Sequence, residues 1–546
     1  MDSQLEVVRC KTPKVEDKIE KIEQDLAAAK EALAAAKEAK NEEQERKLFD
    51  MLLSLNNQLL SLNNQLLSLN NQLSGLQEKE NILLRSQAPT RLAEALLWEG
   101  PPSKKAKTGV ADLDREEIAA LINKKLPTAS SYSKTTVGGW ADSRYKTIRP
   151  CMNFHRQHTL QDQRTTPVAL LDPILAQVAE DCEVAAPTEG DCNFTARVAS
   201  AMSESFTKEG ERMDKFWELL EHEYSVKFQR IESDDAKTDG SLTHPKGGLM
   251  VNIEVKNEVG SGGGAIHVQN AAYAAKYAAG QAAVLRQVST CPTLLIELAG
   301  PNMSLSGAVF SNVVVCDQLT PMVSLLWQPH SPLMLQAARC FAALRIALPR
   351  LLAYYDSVQS QALRQQLNFP YPTSFIASEG GGQAHFQYVQ RLNGLCFKGV
   401  IQPHGQSVFI KFCRSYMLAA HQAMAAAGYA PALLGFEQLA QGWLLIVQQF
   451  VDAVSWDEVV DKPVESLKAA VHALHAAGFV HGDLRGCNIL VAAGAVSLID
   501  FEWAGIVGKA TYPYFMNHVA IQWPDDASDG RLVTESHDLW WLSKLI

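Results

Sequence analysis

Leucine recurs at alternating steps of three and four residues along the segment MLLSLNNQLLSLNNQLLSLNNQLSGL, residues 51–76. The series runs through Leu52, Leu55, Leu59, Leu62, Leu66, Leu69, Leu73 and Leu76. Such spacing gives a helix one apolar seam, as at the a and d positions of a coiled coil. Polar Asn and Gln fill most other positions, so the pattern predicts an α-helical coiled coil over residues 1–87 that self-associates. A helix packed against its own chain is the alternative.

Residues 88–154 contain Pro, Ser, Thr and Lys and are predicted to be a linker that is largely disordered. Lys104, Lys105 and Lys107 follow two prolines, and this cluster at 103–107 resembles a simple nuclear-import signal. Such clusters are also common in linkers. Because the scattered cysteines favour a reducing compartment, an intracellular protein is predicted, with nucleus or cytoplasm left open.

A second globular unit is predicted over residues 155–355. The stretch LMVNIEVK alternates apolar and polar residues and predicts a strand that carries Glu254 and Lys256 on one face. Asp239 lies fifteen residues before Glu254 in a turn-like TDG. Two carboxylates from neighbouring strands can share a divalent metal, and a nearby lysine can orient or deprotonate a water. The alternative is a solvated strand face without chemistry.

This arrangement resembles the PD-(D/E)xK nuclease-like fold, which is an α/β restriction-endonuclease-like fold. The resemblance implies metal binding by Asp239 and Glu254, a catalytic Lys256, and nucleic acid as a partner. The helix HVQNAAYAAKYAAGQAAVL that follows places Gln269 and Tyr273 one turn apart, as in many members. One departure is that Thr, and not Pro, precedes Asp239.

Near the C-terminus, the stretch FVHGDLRGCNILVAAGAVSLIDFEWAG spaces Asp483, Asn488 and Asp500 in a distinctive order. Asp483 is placed to accept a proton from a hydroxyl nucleophile, and Asn488 and Asp500 are placed to hold magnesium against nucleotide phosphates. Positioning and charge neutralisation do most of the work in phosphoryl transfer, so few residue types are needed.

The order His-x-Asp-Leu-x-x-x-x-Asn followed by Asp-Phe resembles the protein kinase-like superfamily. It implies an α+β bilobal domain over residues 384–546, with a shortened C-lobe and with ATP and Mg²⁺ as cofactors. The residues that the resemblance singles out are Lys411, Gly394, Gly399, Gln449 and Val451 for ATP binding, and His481 and Asp538 as structural supports of the catalytic loop.

Several features depart from ordinary protein kinases. The glycine-rich loop is thin, and no acidic residue lies between Lys411 and Glu437 to serve as the usual helix partner of the lysine. Gly482 replaces an arginine that reads activation-loop phosphorylation, and DFE replaces DFG. An atypical kinase of weak activity is therefore predicted. The combination with a nuclease-like unit resembles Crinkler-type effector proteins.

Composition narrows these predictions. The net charge of −10 argues against nucleic-acid binding by bulk charge, although a local basic groove stays open. Ten cysteines without CxxC pairs indicate neither a zinc module nor a disulfide framework, and no apolar run predicts a membrane span.

The function predicted from these patterns is an ATP-dependent phosphotransferase, a protein Ser/Thr kinase-like enzyme with an appended nuclease-like domain. Its partners would be ATP, a protein substrate and further copies of the chain. Two alternatives stay open: a metal-dependent DNA nuclease with a regulatory kinase-like domain, and a pseudokinase scaffold.

Overall fold

The computed structural model describes residues 114–134, 145, 148, 150–153, 165–233, 236–261, 264–328, 331–358, 366–378 and 380–546, together with Lys21, Lys47 and Met51. The coiled coil predicted for residues 1–87 and the lysine cluster at 103–107 lie outside the described residues, apart from those three. Residues Lys107–Ile546 form one compact unit.

The described part of the chain is mixed α/β and multidomain, with several sheets. Its α-helices are α1 (Arg115–Lys125), α2 (Ala129–Tyr132), α3 (Val168–Leu171), α4 (Pro173–Val184), α5 (Glu189–Met202), α6 (Glu209–Tyr224), α7 (Ile266–Gly280), α8 (Pro332–Ser357), α9 (Leu418–Ala426), α10 (Val464–Ala476) and α11 (Glu535–Leu545). None of these helices is long and apolar enough to cross a membrane.

The strands follow in the same chain order. They are β1 (Glu232–Ser233), β2 (Ala236–Lys237), β3 (Gly240–Thr243), β4 (Leu249–Lys256), β5 (Thr293–Ala299), β6 (Asn302–Phe310), β7 (Val314–Gln318), β8 (Val323–Ser324), β9 (Ser374–Ala377), β10 (Gln383–Asn393), β11 (Cys396–Gln402), β12 (Gln406–Cys413), β13 (Leu433–Gln438), β14 (Leu444–Gln449), β15 (Val454–Ser455), β16 (Phe479–Val480), β17 (Ile489–Ala492), β18 (Ala495–Leu498) and β19 (Gly505–Ile506).

The middle domain, residues 114–358, is built on a six-stranded sheet in which β3-β4-β5-β6-β7 follow one another and β8 also pairs with β6. Strands β4 and β5 run parallel and are joined through α7, whereas the other neighbours are antiparallel. Both parallel strands are buried along their whole length because helices cover both faces of the sheet. The restriction-endonuclease-like fold stays a prediction for this domain.

Alternation along β4 separates core from polar chemistry. Val251, Ile253 and Val255 face the main apolar core of the domain. Glu254 and Lys256 lie on the opposite face of the pleat, which is the face that α7 covers. The carboxylate and the ammonium are thereby brought to one buried side of the sheet.

The linker prediction for 88–154 is wrong for residues 114–134, which form α1 and α2. Asp114 and Glu117 make a capping box at the start of α1. Ile118 and Ile122, one turn apart, pack on the alanine-rich surface of α7. Two isoleucines one helical turn apart are enough for α1 to pack against a partner helix, although the surrounding segment is polar. The composition of the segment does not reveal that partner.

The small lobe of the C-terminal domain is a closed barrel of order β10-β11-β12-β14-β13-β9. Phe375, Phe386, Tyr388, Phe397 and Phe412 fill its interior. Strand β9 closes the barrel by pairing with β10 and β13. It begins ten residues before the predicted domain start at 384, so the lobe includes a strand that the predicted boundary left out.

The middle domain contributes side chains to this barrel. Ala169 and Leu170 of α3 and Ala176 of α4 belong to the same buried apolar cluster as the barrel aromatics. The backbone N–H of Tyr371 donates to the carbonyl oxygen of Leu170 at 2.8 Å. The two domains therefore share one core, and Leu170 is fully buried in it.

The large lobe follows β14. Helices α10 and α11 pack together, and α10 also packs on β18 of the small sheet β15-β17-β18. Leu467, Val471, Leu474 and Phe501 are buried in the core between them. The segment 481–488, between β16 and β17, lies on this core.

Candidate active site

The loop of residues 481–488 is held in place by Asp538 of α11. The fully buried Asp538 carboxylate accepts hydrogen bonds from the backbone N–H groups of His481 and Gly482, at 2.8 and 3.0 Å. His481 Nε2 lies 3.0 Å from the carbonyl oxygen of Ile499. The two residues predicted as structural supports thus tie the loop to α11 and to the strand end before Asp500.

Gly482 is required by the backbone at this position. Its φ is +78°, and a Cβ there would lie 3.0 Å from the carbonyl oxygen of Trp503. Residues other than glycine rarely adopt this backbone conformation. A glycine in place of the kinase arginine therefore has a local structural reason.

Asp483 and Asn488 contact each other directly. The Asn488 amide Nδ2 donates to Asp483 Oδ2 and to the Asp483 carbonyl oxygen, both at 2.9 Å. The side-chain oxygen Oδ1 of Asn488, which lies 3.7 Å from Cys487 Sγ, is the atom of this amide that can bind a metal ion. Both side chains are buried, so the geometry is held by packing as well as by hydrogen bonds.

Arg485 clamps the Asp483 carboxylate from the other side. Its Nε and a terminal nitrogen donate to the two carboxylate oxygens at 2.5 and 2.7 Å. The guanidinium carbon lies 5.9 Å from the centre of the Trp523 ring. The sequence pattern did not single out Arg485, although its place two residues after Asp483 was a usable signal.

Lys411 lies between two carboxylates. Its Nζ is 2.7 Å from Asp500 Oδ1 and 2.6 Å from Glu502 Oε1. The pKa of Lys411 is raised above its ordinary value: burial lowers it, but the negative charges of Asp500 and Glu502 more than offset that. The pKa of Glu502 is raised above its ordinary value, because burial and the charge of Asp500 together outweigh the lowering effect of Lys411. Glu502 was missed as a site residue, although the DFE tripeptide was noted.

The helix after the lysine strand contributes no acid to this site. Helix α9 has no acidic residue, and its buried His421 stacks on Phe501, with ring centres 5.0 Å apart. His421 Nε2 is also 2.8 Å from the carbonyl oxygen of Pro431. Within the described residues, α9 therefore offers no carboxylate to Lys411.

The predicted ATP-binding residues fall into three different settings. Gly394 lies in the two-residue turn between β10 and β11, with φ +43° and open space around its α-carbon. Gly399 lies inside the barrel wall, where a Cβ would be 2.6 Å from Ile410 Cδ1 and 3.0 Å from the Gln387 carbonyl oxygen. Close packing, and not a phosphate loop, is the structural reason for Gly399.

At the end of β14, the backbone N–H of Gln449 donates to the carbonyl oxygen of Ala432 at 2.9 Å. It is therefore not available to adenine as predicted. The Gln449 carbonyl and the backbone of Val451, just beyond the strand, stay as the candidate adenine contacts. The sequence pattern does not show which backbone groups the neighbouring strands already use.

A second polar cluster lies on β4 of the middle domain. Asp239 Oδ2 accepts from the backbone N–H of Val255 at 2.9 Å, so the TDG turn lies beside the strand. Glu254 is fully buried, with Oε1 2.5 Å from Lys256 Nζ and with Oε2 lacking any hydrogen-bond partner. Burial, and then the charge of Asp239, raise the pKa of Glu254 well above its usual range. Glu209 of α6 joins the cluster, with Oε1 3.7 Å from Lys256 Nζ.

Gln269 of α7 is connected to this cluster through Tyr273, whose pKa is raised by burial and by the nearby charge of Glu254. It is buried, hydrogen-bonds Tyr273, and accepts from Ser133 Oγ at 3.4 Å. Within the described residues, no group of three or more His, Cys, Asp or Glu side chains is arranged to hold a metal ion. A metal at this site would therefore rest on two carboxylates and further ligands from water or substrate.

Residues 417–506 match the family model described as the lipopolysaccharide kinase (Kdo/WaaP) family. The match covers the span from α9 to β19 and includes Asp483, Asn488 and Asp500. A search of curated proteins found no match. The C-terminal part of the chain is accordingly kinase-like, and its family resemblance is that of a phosphotransferase.

Proposed function

We propose that the chain is an ATP- and Mg²⁺-dependent phosphotransferase that acts on Ser or Thr hydroxyls of a protein substrate. The observation that carries the proposal is the convergence of Lys411, Asp483, Asn488 and Asp500. Lys411 and Asp500, 89 residues apart, meet at 2.7 Å, and Asn488 touches Asp483 at 2.9 Å. Kinase-like chemistry requires these residue types in this relation.

The oxygen atoms at the site suit Mg²⁺. Magnesium prefers oxygen ligands and is commonly held by one or two carboxylates plus substrate phosphates and waters. The Asp500 carboxylate and the Asn488 Oδ1 atom supply such oxygens without needing a third acidic ligand. Magnesium would supply charge neutralisation at the transferred phosphate.

The chain's own groups then divide the work. Lys411 binds the phosphates of ATP through its ammonium. Asp483 orients the acceptor hydroxyl and takes its proton as the new oxygen–phosphorus bond forms. The bond between the γ-phosphorus and its bridging oxygen breaks, and ADP leaves with that oxygen. Lys411 and Asp483 are each held in position by ionic contacts with neighbouring side chains.

The class of acceptor separates this proposal from the lipopolysaccharide kinase family that residues 417–506 match. The protein hydroxyl is the proposed acceptor, and a sugar hydroxyl of lipopolysaccharide is the outcome that would replace it. Both acceptors are alcohols, so Asp483 would perform the same proton transfer on either. None of Lys411, Asp483, Asn488 and Asp500 distinguishes a protein hydroxyl from a sugar hydroxyl.

γ-Labelled ATP, incubated with the full chain and with casein, histone or lipopolysaccharide, tests the proposal. Label on Ser or Thr is expected, and Asp483→Ala should reduce transfer by about a hundredfold or more because the general base is lost. The exposed Asp461→Ala is the matched control. Label on lipopolysaccharide alone would contradict the protein acceptor, and no Mg²⁺-dependent transfer or hydrolysis at all would contradict the phosphotransferase.

A second candidate function is divalent-metal-dependent cleavage of DNA by the middle domain. The observation that favours it is Glu254 Oε2, a fully buried carboxylate oxygen without a partner, close to the second carboxylate of Asp239. Two such groups repel, and a cation between them would relieve both the repulsion and the missing contact. Lys256 would then activate a water beside the metal.

Calorimetric titration with Mn²⁺ tests this candidate. An Asp500→Asn background removes the contribution of the C-terminal site. Binding is expected in that background, and a further Asp239→Asn change should remove most of it. Lys256→Ala should keep binding while abolishing DNA nicking. Absence of any binding in the Asp500→Asn background would exclude the nuclease.

A further inference from the structure

The ionic contacts of Lys411 differ from the arrangement that kinase-like sites usually have. Lys411 Nζ lies 2.6 Å from Glu502 Oε1, and Glu502 comes two residues after Asp500. Its side chain is 32% exposed and that of Lys411 is 14% exposed, so the pair is shielded from solvent. A charge pair in this setting is screened by salt much less than an exposed pair.

No other described carboxylate can take this role through the small lobe. No acidic residue occurs between Lys411 and Glu437, and Glu437 lies on β13 beside Tyr371. Helix α9, the element that would be expected to provide a partner, carries only His421 as an ionisable group. The lysine is therefore paired entirely from the large lobe, by Asp500 and Glu502.

Asp500 cannot serve as the lasting partner if it binds metal. In the proposed function its carboxylate turns to Mg²⁺ when ATP is present, and its 2.7 Å contact with Lys411 is then lost or shared. Glu502 has no such competing duty in the proposed mechanism. It would keep the ammonium in place at the moment when the phosphates need it.

We propose that Glu502 is the positioning residue for Lys411, taking over from the large lobe the role that a helix glutamate has in ordinary kinases. This inference rests on the proposed phosphotransferase function. Both carboxylates that pair with Lys411 lie in one short segment, Asp500 to Glu502. The orientation of the lysine therefore does not depend on a movement of α9. Because Lys411 lies in the small lobe and Glu502 in the large lobe, the ion pair forms only when the two lobes are close together.

A double-mutant cycle on the full chain tests the pairing. MgATP affinity by calorimetry and turnover of labelled ATP are measured for Lys411→Ala, Glu502→Gln and the double variant. Each single change should weaken MgATP binding by at least about tenfold, because each leaves a shielded charge without its partner. The double variant should bind MgATP as Lys411→Ala alone does, since Glu502 is proposed to act only through the lysine.

Two further variants make the cycle specific. Glu502→Asp should restore part of the loss, and Glu437→Gln should behave as the unmodified chain. At saturating ATP, Glu502→Gln should leave the half-saturating Mg²⁺ concentration unchanged, whereas Asp500→Asn should raise it. This separates a lysine partner from a third metal ligand.

Additive effects of the two single changes would overturn the inference, as would a raised Mg²⁺ requirement in Glu502→Gln. A chain that binds MgATP but shows no turnover would count against the proposed function alone, because the binding cycle still reports on the pair. A chain that binds no MgATP would overturn both.

Discussion

Arg485 donates to both carboxylate oxygens of Asp483, at 2.5 and 2.7 Å, and so covers the group that is proposed to accept the substrate proton. Asp483 is buried and Arg485 is half-buried, and the Trp523 ring lies 5.9 Å from the guanidinium carbon. A hydroxyl must therefore approach Asp483 beside this clamp, and the clamp sets which oxygen of the carboxylate it meets.

Replacing Arg485 tests whether the clamp orients or obstructs the base. Arg485→Leu is expected to reduce turnover by about ten- to a hundredfold with little change in MgATP affinity, because small misplacements of a reacting group are costly. Steady-state kinetics with separate kcat and KM for ATP is the measurement. The surface change Arg197→Leu is the control. Faster turnover in Arg485→Leu would show that the clamp holds the site closed.

Removing the charge of Asp538 should loosen the catalytic loop. Asp538→Asn converts one acceptor oxygen to a donor that faces the N–H groups of His481 or Gly482. The free energy of unfolding is expected to fall by about 2–3 kcal/mol, since a fully buried polar contact is left unmade. Urea denaturation measures it, with the exposed Asp461→Asn as control. Unchanged stability together with full turnover would contradict the role of Asp538.

Leu170 should support the small lobe although it belongs to the middle domain. Leu170→Ala would open a cavity in the shared core and lower the unfolding free energy by about 2–5 kcal/mol. MgATP affinity is expected to fall with it, because the barrel carries Lys411. Calorimetric binding and thermal unfolding give the two readouts. Leu335→Ala, on the exposed side of α8, is the comparison, and an equal effect of both changes would refute a shared core.

The coiled coil predicted from the leucine series is testable by charge. Leu62→Asp with Leu69→Asp should lower the molecular mass in light scattering, because charges at the seam disfavour association. The neighbouring pair Asn63→Asp with Asn70→Asp adds the same charge outside the seam and should leave the mass unchanged. Equal behaviour of the two variants would argue against self-association through this seam.

The spacing of residues along the chain is sufficient to predict those site residues whose roles depend on local order in the sequence. Asp483 and Asn488 are five residues apart in one loop, and Asp500 follows a short hairpin, so their meeting is largely a local matter. Strand β4 was predictable for a similar reason, because its polar and apolar residues alternate. The contact between Asp239 and β4 is also local, because β3, which directly follows Asp239, pairs antiparallel with β4.

Other features depend on contacts between distant elements and leave no local pattern. Nothing about the sequence around Glu502 shows that its side chain returns to a lysine 91 residues earlier. In the sequence Gly399 resembles a phosphate-loop residue, because the sequence does not show the cross-strand neighbours that pack against it. Helix α1 was placed in a linker because its partner, α7, is about 150 residues further along the chain.

The contribution of Leu170 to the barrel core has a consequence for the ancestry of such proteins. Gene fusion usually joins units that are each complete, so that either can be exchanged by recombination without loss. Here an exchange near residue 360 would separate the barrel from a side chain that fills it, and from the carbonyl that receives the Tyr371 N–H. A descendant that inherited the C-terminal lobes alone would need a compensating apolar residue of its own. The two domains are therefore expected to be inherited together.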